Sequence, residues 1–104
     1  MSDYRIETKC VQSGYTPGNG EPRQIPVIQS TTFKYATGED MGKLFDLEAS
    51  GYFYSRLQNP TCDMVAAKIC DMEGGSAAML TASGQAANFF AVFNIASCGD
   101  HLPP

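Results

Sequence analysis

Residues 74–99, GGSAAMLTASGQAANFFAVFNIASCG, decide the predicted fold. The part from 76 to 82 is apolar without alternation, which is typical of a strand buried on both faces of a parallel sheet. A polar turn, Ser83-Gly84-Gln85, follows, and residues 84–97 are apolar nearly all round a helical axis, which predicts a buried helix. A strand that turns into a helix leaves free backbone N–H groups at the helix start, where a phosphate can bind. The stretch therefore predicts an α/β fold with a candidate anion site.

Regular elements are also predicted on both sides of this stretch. Asn59 and Pro60 favour a helix start, because asparagine caps helices and proline suits the first helical position. The helix is expected over residues 60–73. Its predicted buried stripe, at helical spacing, consists of Cys62, Val65, Ile69 and Met72. Residues 100–102 are predicted to start a second strand, so residues 59–104 would form the first part of an α/β domain.

Residues 1–58 predict an extended N-terminal arm, because they are rich in Gly, Pro, Ser, Thr and Tyr and lack sustained periodicity. A short helix is predicted over residues 3–11. A second is expected over about 38–49, where Thr37 offers a cap and acidic residues follow in the first turn.

The helix predicted over residues 84–97 needs more covering surface than the predicted strands provide. It carries three Phe side chains, and each Phe left exposed forgoes about 1.5–3 kcal/mol of burial. Parallel strands also require helices on both faces and further strands beside them. We therefore expect the chain to be the front part of a larger enzyme.

Composition argues against several classes of protein. The formal net charge is −4 and there is no basic run, which argues against nucleic-acid binding. Four cysteines without a C-x-x-C pair and one histidine argue against a zinc site. The polar start carries no signal peptide, so free thiols in a reducing cytoplasm are expected. No apolar run reaches membrane-spanning length.

Two groups of residues are candidates for phosphate binding. Backbone N–H groups of Gly84 and Gln85 could point at a phosphate; alternatively, the segment is an ordinary turn with Ser83 as helix cap. Tyr54 and Arg56 alternate onto one side of a predicted extended strand, where the guanidinium could bind a phosphate bidentately. The alternative is a surface arginine beside a packing tyrosine.

Other reactive side chains favour structural roles. His101 has no local partner for catalysis, and Cys62 and Cys70 are expected to be small core fillers. A Schiff-base lysine needs desolvation or a cationic neighbour, and no lysine of this sequence has such a context.

Four motifs in register resemble those of one enzyme family. Residues 54–61, YSRLQNPT, resemble the Tyr-x-Arg-x-x-Asn-Pro-Thr motif of pyridoxal-phosphate (PLP) enzymes of cysteine and methionine metabolism. Segments 73–75, 82–87 and 99–101 follow in the family's order and spacing. A fifth segment, residues 26–33, PVIQSTTF, is similar to the family's Pro-hydrophobic-x-Gln-Ser/Thr-Thr-x-aromatic segment near the N-terminus. The resemblance covers nearly the whole chain to His101.

The resemblance implies the start of a fold-type-I PLP-dependent transferase large domain. Ser83, Gly84 and Gln85 would hold the cofactor phosphate, and Tyr54 and Arg56 would reach across a dimer interface to the phosphate in the neighbouring subunit. The arm would wrap that neighbour in a homodimer or homotetramer. The family's cofactor-stacking tyrosine, pyridine-pairing aspartate, Schiff-base lysine and substrate-binding arginine lie beyond residues 102–104, which depart from the family pattern. No catalytic residue is therefore expected in this chain, which alone should be inactive.

Within the family, residues 83–87 and 44–47 resemble those of O-acetylhomoserine sulfhydrylases. This implies conversion of O-acetylhomoserine and sulfide or a thiol to homocysteine or methionine and acetate, through a PLP aldimine and γ-replacement. A methionine or cystathionine γ-lyase is the alternative with related chemistry. A non-catalytic fragment that self-associates or binds a phosphate-bearing ligand is the alternative of another class.

Overall fold

The computed structural model describes residues 3–101, in which four helices are joined by long irregular segments. The helices are α1 (Ile6–Gln12), α2 (Gly38–Phe45), α3 (Pro60–Glu73) and α4 (Gly84–Phe93). The radius of gyration is 17.2 Å, against about 13 Å for a compact domain of this length. The chain is therefore open, and among the described residues only Leu44 and Ala66 are buried apolar side chains. In the same part of the chain, no helix is long and apolar enough to cross a membrane.

Side-chain caps fix where three of the helices begin. Thr37 accepts a hydrogen bond from the Asp40 N–H at the start of α2, and Asn59 accepts one from the Thr61 N–H at the start of α3. Ser83 caps α4 in the same manner. Each cap satisfies a backbone N–H that has no acceptor within its own helix.

Helices α1 and α3 are the pair that packs together within residues 3–101. The contact is close at Gly14, just after α1, where an added Cβ would lie 2.5 Å from the Met64 carbonyl oxygen. Ser13 beside it is 1% exposed and donates a hydrogen bond to the Asp71 carboxylate. The Lys9 ammonium lies 3.3 Å from the same carboxylate. A short helix is thus fixed by polar contacts to residues about 60 positions later.

The buried stripe predicted for α3 is wrong in two of its members. Cys62 is exposed and Ile69 is 44% exposed, whereas Lys68 and Asp71 contact α1 or the residues that follow it. The physical reason is that the last carbonyl groups of α1 need donors. The Lys68 ammonium supplies them, at 3.0 Å from the Cys10 oxygen.

The strand predicted over residues 76–82 is not formed. That segment is irregular, as are the described residues 100–101 of the second predicted strand, while residue 102 lies outside the described range. A strand requires a neighbour to pair with its backbone groups. In residues 3–101 the one β-type pairing is an isolated antiparallel bridge between Thr32 and Tyr54. Within residues 3–101 the structure therefore has the helices of the predicted α/β unit without its sheet.

Three predicted helices have different ends in the structure. The first is Ile6–Gln12 rather than 3–11. The second ends at Phe45 rather than 49, because Leu47 adopts a left-handed conformation with φ 59°. The helix predicted to reach 97 ends at Phe93. Its apolar side chains lie open, since Phe89 and Phe93 are 59% and 66% exposed, and Ile95 beyond it is 77% exposed.

Candidate functional site

Tyr54 and Arg56 lie on a tight turn and not on the predicted extended strand. The Tyr54 carbonyl accepts hydrogen bonds from the N–H groups of Leu57 and Gln58, at 3.0 and 3.1 Å, so the chain reverses directly after its bridge to Thr32. The turn places the Arg56 guanidinium carbon 5.1 Å from the centre of the Tyr54 ring. This distance is within the range of a cation–π contact. The two candidate side chains therefore lie beside each other on a turn, and their role in phosphate binding stays a prediction.

The segment that carries Tyr54 is paired with residues 26–33. The N–H of Phe33 donates to the Phe53 carbonyl at 3.3 Å, and the N–H of Ser55 donates to the Thr31 carbonyl at 2.9 Å. The Ser55 hydroxyl also donates to the Ser30 carbonyl. Two motifs that are separate in the sequence thus form one surface.

The second candidate site is the turn before α4. Ser83 has an extended backbone, with φ −159° and ψ 160°, and its hydroxyl accepts a hydrogen bond from the Ala86 N–H at 3.1 Å. Within residues 3–101, the N–H groups of Gly84 and Gln85 have no acceptor. These donors sit at the positive end of the helix dipole.

Space and charge at this turn suit an anion. An added Cβ on Gly84 would meet no atom within 4 Å, and residues 83–85 are exposed. The first turn of α4 carries no acidic side chain, so no carboxylate there repels a bound phosphate. The arrangement can bind a phosphate through backbone donors alone.

The structure does not bring the two candidate sites together in one chain. Among the described residues, no hydrogen bond, ion pair or ring contact joins Tyr54 or Arg56 to residues 83–85. The prediction that the pair acts on a neighbouring subunit stays a prediction.

Two perturbed groups near these elements were not singled out from the sequence. Burial raises the pKa of the Tyr52 hydroxyl, and a hydrogen bond with Asp63 and its negative charge raise it further. The hydrogen bond from Ser13, followed by Lys9, lowers the pKa of the Asp71 carboxyl. No local signal in the sequence marks the second, because Ser13 and Lys9 lie 58 and 62 positions before Asp71.

The remaining candidate residues are His101, Cys62 and Cys70. His101 is exposed in an irregular segment. Cys62 is exposed, so its prediction as a core filler is wrong, because the α3 face that carries it has no partner element in the described chain. Cys70 is half-buried and lies 3.1 Å from the Gly75 carbonyl oxygen. In residues 3–101 no group of three His, Cys, Asp or Glu side chains could hold a metal ion.

A family model described as Cys/Met metabolism PLP-dependent enzyme matches residues 7–102. The chain belongs to this family. The family predicted from the motifs is confirmed, and with it the PLP dependence of the enzymes to which the chain is related.

Two named relatives of this family member are similar to most of the chain. The chain is 39% identical over 102 residues to O-acetyl-L-homoserine sulfhydrylase 1 of Thermus thermophilus, covering 94% of this chain and 24% of that protein. It is 41% identical over 81 residues to homocysteine/cysteine synthase of Kluyveromyces lactis, covering 78% and 18%. The chain thus spans about a quarter or less of the length of these relatives.

A solved structure supports the same fold. The putative O-acetylhomoserine (thiol)-lyase of Campylobacter jejuni matches with a TM-score of 0.84 and 33% identity, covering 94% of this chain and 24% of that one. That structure contains N'-pyridoxyl-lysine-5'-monophosphate at position 205. The likeness places the four helices of this family member within a PLP-dependent enzyme fold, although residues 3–101 show no sheet.

Proposed function

We propose that this chain supplies the cofactor-phosphate site of an O-acetylhomoserine sulfhydrylase. Such an enzyme replaces the γ-acetoxy group of O-acetylhomoserine with sulfide or a thiol, giving homocysteine or methionine and releasing acetate. The observation that carries the proposal is the pair of unpaired N–H groups, on Gly84 and Gln85, at the start of α4. The names of the relatives support the choice of reaction.

The chain's own groups would bind the cofactor by its phosphate. The N–H groups of Gly84 and Gln85 would donate to phosphate oxygens, and Ser83 would hold the helix start in place through Ala86. The absence of a side chain at Gly84 leaves room for the phosphate to approach the backbone. When bound, PLP supplies the electron sink for the reaction, and this chain's contribution is binding and orientation.

Tyr54 and Arg56 would donate to the phosphate bound by a second copy of the protein. Arg56 is exposed and makes no ion pair within residues 3–101, so its charge is available to an anion. An arginine can donate two parallel hydrogen bonds to a phosphate, and a tyrosine can add a third. This role implies a homodimer or homotetramer.

The remaining predictions about organisation stay proposals. Residues 1–58 would form the arm toward the second copy, and residues 59–104 the first part of the PLP-binding domain. The four free cysteines support a reducing, cytoplasmic location.

The test starts from the native material, isolated from its source, with its intact mass measured first. The enzyme should release acetate from O-acetylhomoserine only when sulfide or a thiol is added. Release of a keto acid and ammonia without a thiol would instead identify a γ-lyase. If the protein does not bind PLP, or does not convert O-acetylhomoserine with or without sulfide or a thiol, the result would identify it as a non-catalytic fragment.

A further inference from the structure

A buried asparagine joins three backbone segments next to Tyr54 and Arg56. Asn59 is 6% exposed, and its side-chain oxygen accepts from the Thr61 N–H at 2.9 Å, which caps α3. Its side-chain NH₂ donates to the Ile28 carbonyl and to the Ser55 hydroxyl, each at 3.0 Å. One side chain therefore links the start of α3, residues 26–33 and the turn that carries Arg56.

Thr61 completes this link from the first turn of α3. Its hydroxyl donates to the Pro26 carbonyl at 2.9 Å and accepts from the Ile28 N–H at 3.0 Å. Residues 26–28 are thereby held on both sides of Val27. A hydroxyl that both donates and accepts cannot be replaced here by an apolar side chain without leaving a backbone donor and acceptor unpaired.

Apart from Asn59, the turn at residues 54–57 is tied to residues 30 and 31, through the N–H and the hydroxyl of Ser55. It lies outside any helix, and its single bridge to Thr32 is isolated. The nearest regular element is α3, whose start reaches the turn through Asn59 and Ser55. Residues 30 and 31 are themselves irregular, so without the link to α3 the turn is expected to move, and with it the Arg56 side chain.

We propose that Asn59 and Thr61 are positioning residues that orient Tyr54 and Arg56 by tying their turn and residues 26–31 to the start of α3. The geometric part of this proposal stands on the contacts within the chain, and its functional meaning rests on the proposed role of Tyr54 and Arg56. Asn59 thus has two separable functions: its oxygen caps α3, and its NH₂ group holds the turn.

Asn59→Asp separates these two functions. Aspartate caps a helix as well as asparagine does, but it has no NH₂ group to donate to Ile28 or Ser55. Thr61→Ser and Thr61→Val form a second pair. Serine keeps the hydroxyl, whereas valine has a similar shape and lacks it.

The experiment is NMR spectroscopy on the isotopically labelled full chain. The Arg56 δ-CH₂ protons should show a ring-current shift from Tyr54, because the guanidinium carbon of the same side chain lies 5.1 Å from the centre of that ring. In Asn59→Asp and Thr61→Val this shift should move toward the random-coil value, while amide exchange within α3 stays slow. The Ile28 amide should exchange about two- to tenfold faster in Thr61→Val, the effect of one neutral hydrogen bond. Thr61→Ser should retain the unsubstituted spectrum.

Loss of protection at Ile28 with an unchanged Arg56 shift would overturn the proposal, since the turn would then hold its side chains unaided. If Asn59→Asp unfolds α3, the two Thr61 variants decide. An Arg56 ring-current shift that is retained in Thr61→Ser and lost in Thr61→Val supports the proposal. Equal shifts in the two variants refute it. The measurement contains no cofactor or substrate. A negative sulfhydrylase assay therefore does not contradict the positioning role of Asn59 and Thr61. Likewise, an NMR result against that positioning role does not change the outcome of the sulfhydrylase assay.

Discussion

The described chain divides into a region held by long-range polar contacts and a region held only by local ones. Before residue 74, Lys9 contacts Asp71 and Thr61 contacts Ile28, across 62 and 33 positions. After it, the recorded side-chain hydrogen bonds join residues two or three apart, such as Ala86 with Ser83. The difference shows that the first region has contacts within residues 3–101 that fix it, whereas α4 needs apolar cover that these residues do not supply.

The largest expected effect comes from Gly14→Ala. An alanine there would adopt a left-handed conformation, since φ is 90°, and its Cβ would lie 2.5 Å from the Met64 carbonyl oxygen. The left-handed backbone costs about 1–2 kcal/mol and the overpacking about 1–3 kcal/mol. We expect the free energy of unfolding to fall by about 2–5 kcal/mol, measured by urea denaturation.

Gly20→Ala is the matched control for this change. Gly20 also has a positive φ, of 80°, but an added Cβ would meet no atom within 4 Å. Its cost should be limited to the backbone, about 1–2 kcal/mol. Equal costs for the two substitutions would show that the close approach of α1 to α3 contributes nothing to the first region.

The next effect concerns the charge available at Arg56. In the complete enzyme, Arg56→Ala should weaken PLP binding by about 1.5–3 kcal/mol, the value of a hydrogen bond to a charged group. The dissociation constant of PLP can be measured by removing PLP from each variant and following its re-addition by fluorescence. Arg23→Ala removes the same charge from another exposed position and should leave binding unchanged. Unchanged binding in Arg56→Ala would remove this residue from the phosphate site.

A third prediction concerns pH and the contact of α1 with α3. The Ser13 hydrogen bond and Lys9 lower the pKa of Asp71 in the folded chain. A carboxyl group with a lowered pKa adds stability above its unfolded pKa of about 3.9, and this stability is lost as pH falls through the folded pKa.

Urea denaturation at several pH values checks this sign. The free energy of unfolding should fall steeply below about pH 4 in the unsubstituted chain. Asp71→Asn should be less stable at neutral pH and should show a flatter dependence. Asp46→Asn, which removes an exposed carboxylate away from α1, should keep the steep dependence. A steep dependence in Asp71→Asn would assign the acid sensitivity to other groups.

Local signals in the sequence predicted the helices and the family, but they did not predict the long-range contacts. Asn59-Pro60 and Ser83-Gly84 placed two helix starts correctly, because caps act within three residues. The polar face of α3 could not be predicted from periodicity, since Lys68 is fixed by the carbonyl groups at the end of a helix 57 or 58 positions earlier. The strand at 76–82 depends on partners that no local pattern reveals.

The smallest expected effect comes from truncating a side chain of α4. Phe93 is 66% exposed and stacks on Phe89, with ring centres 5.2 Å apart. Since little of its surface is buried, Phe93→Ala should change the free energy of unfolding of this chain by about 0.5 kcal/mol or less.

Leu44→Ala is the comparison for Phe93→Ala, because Leu44 is 5% exposed in the first region. Loss of a buried Leu side chain costs about 2–5 kcal/mol. The same urea titration applied to both variants therefore compares the two regions directly. A large loss in Phe93→Ala would mean that α4 is covered in solution, by a second copy of the chain if the loss depends on protein concentration. The second region would then be held by association and not by its own contacts.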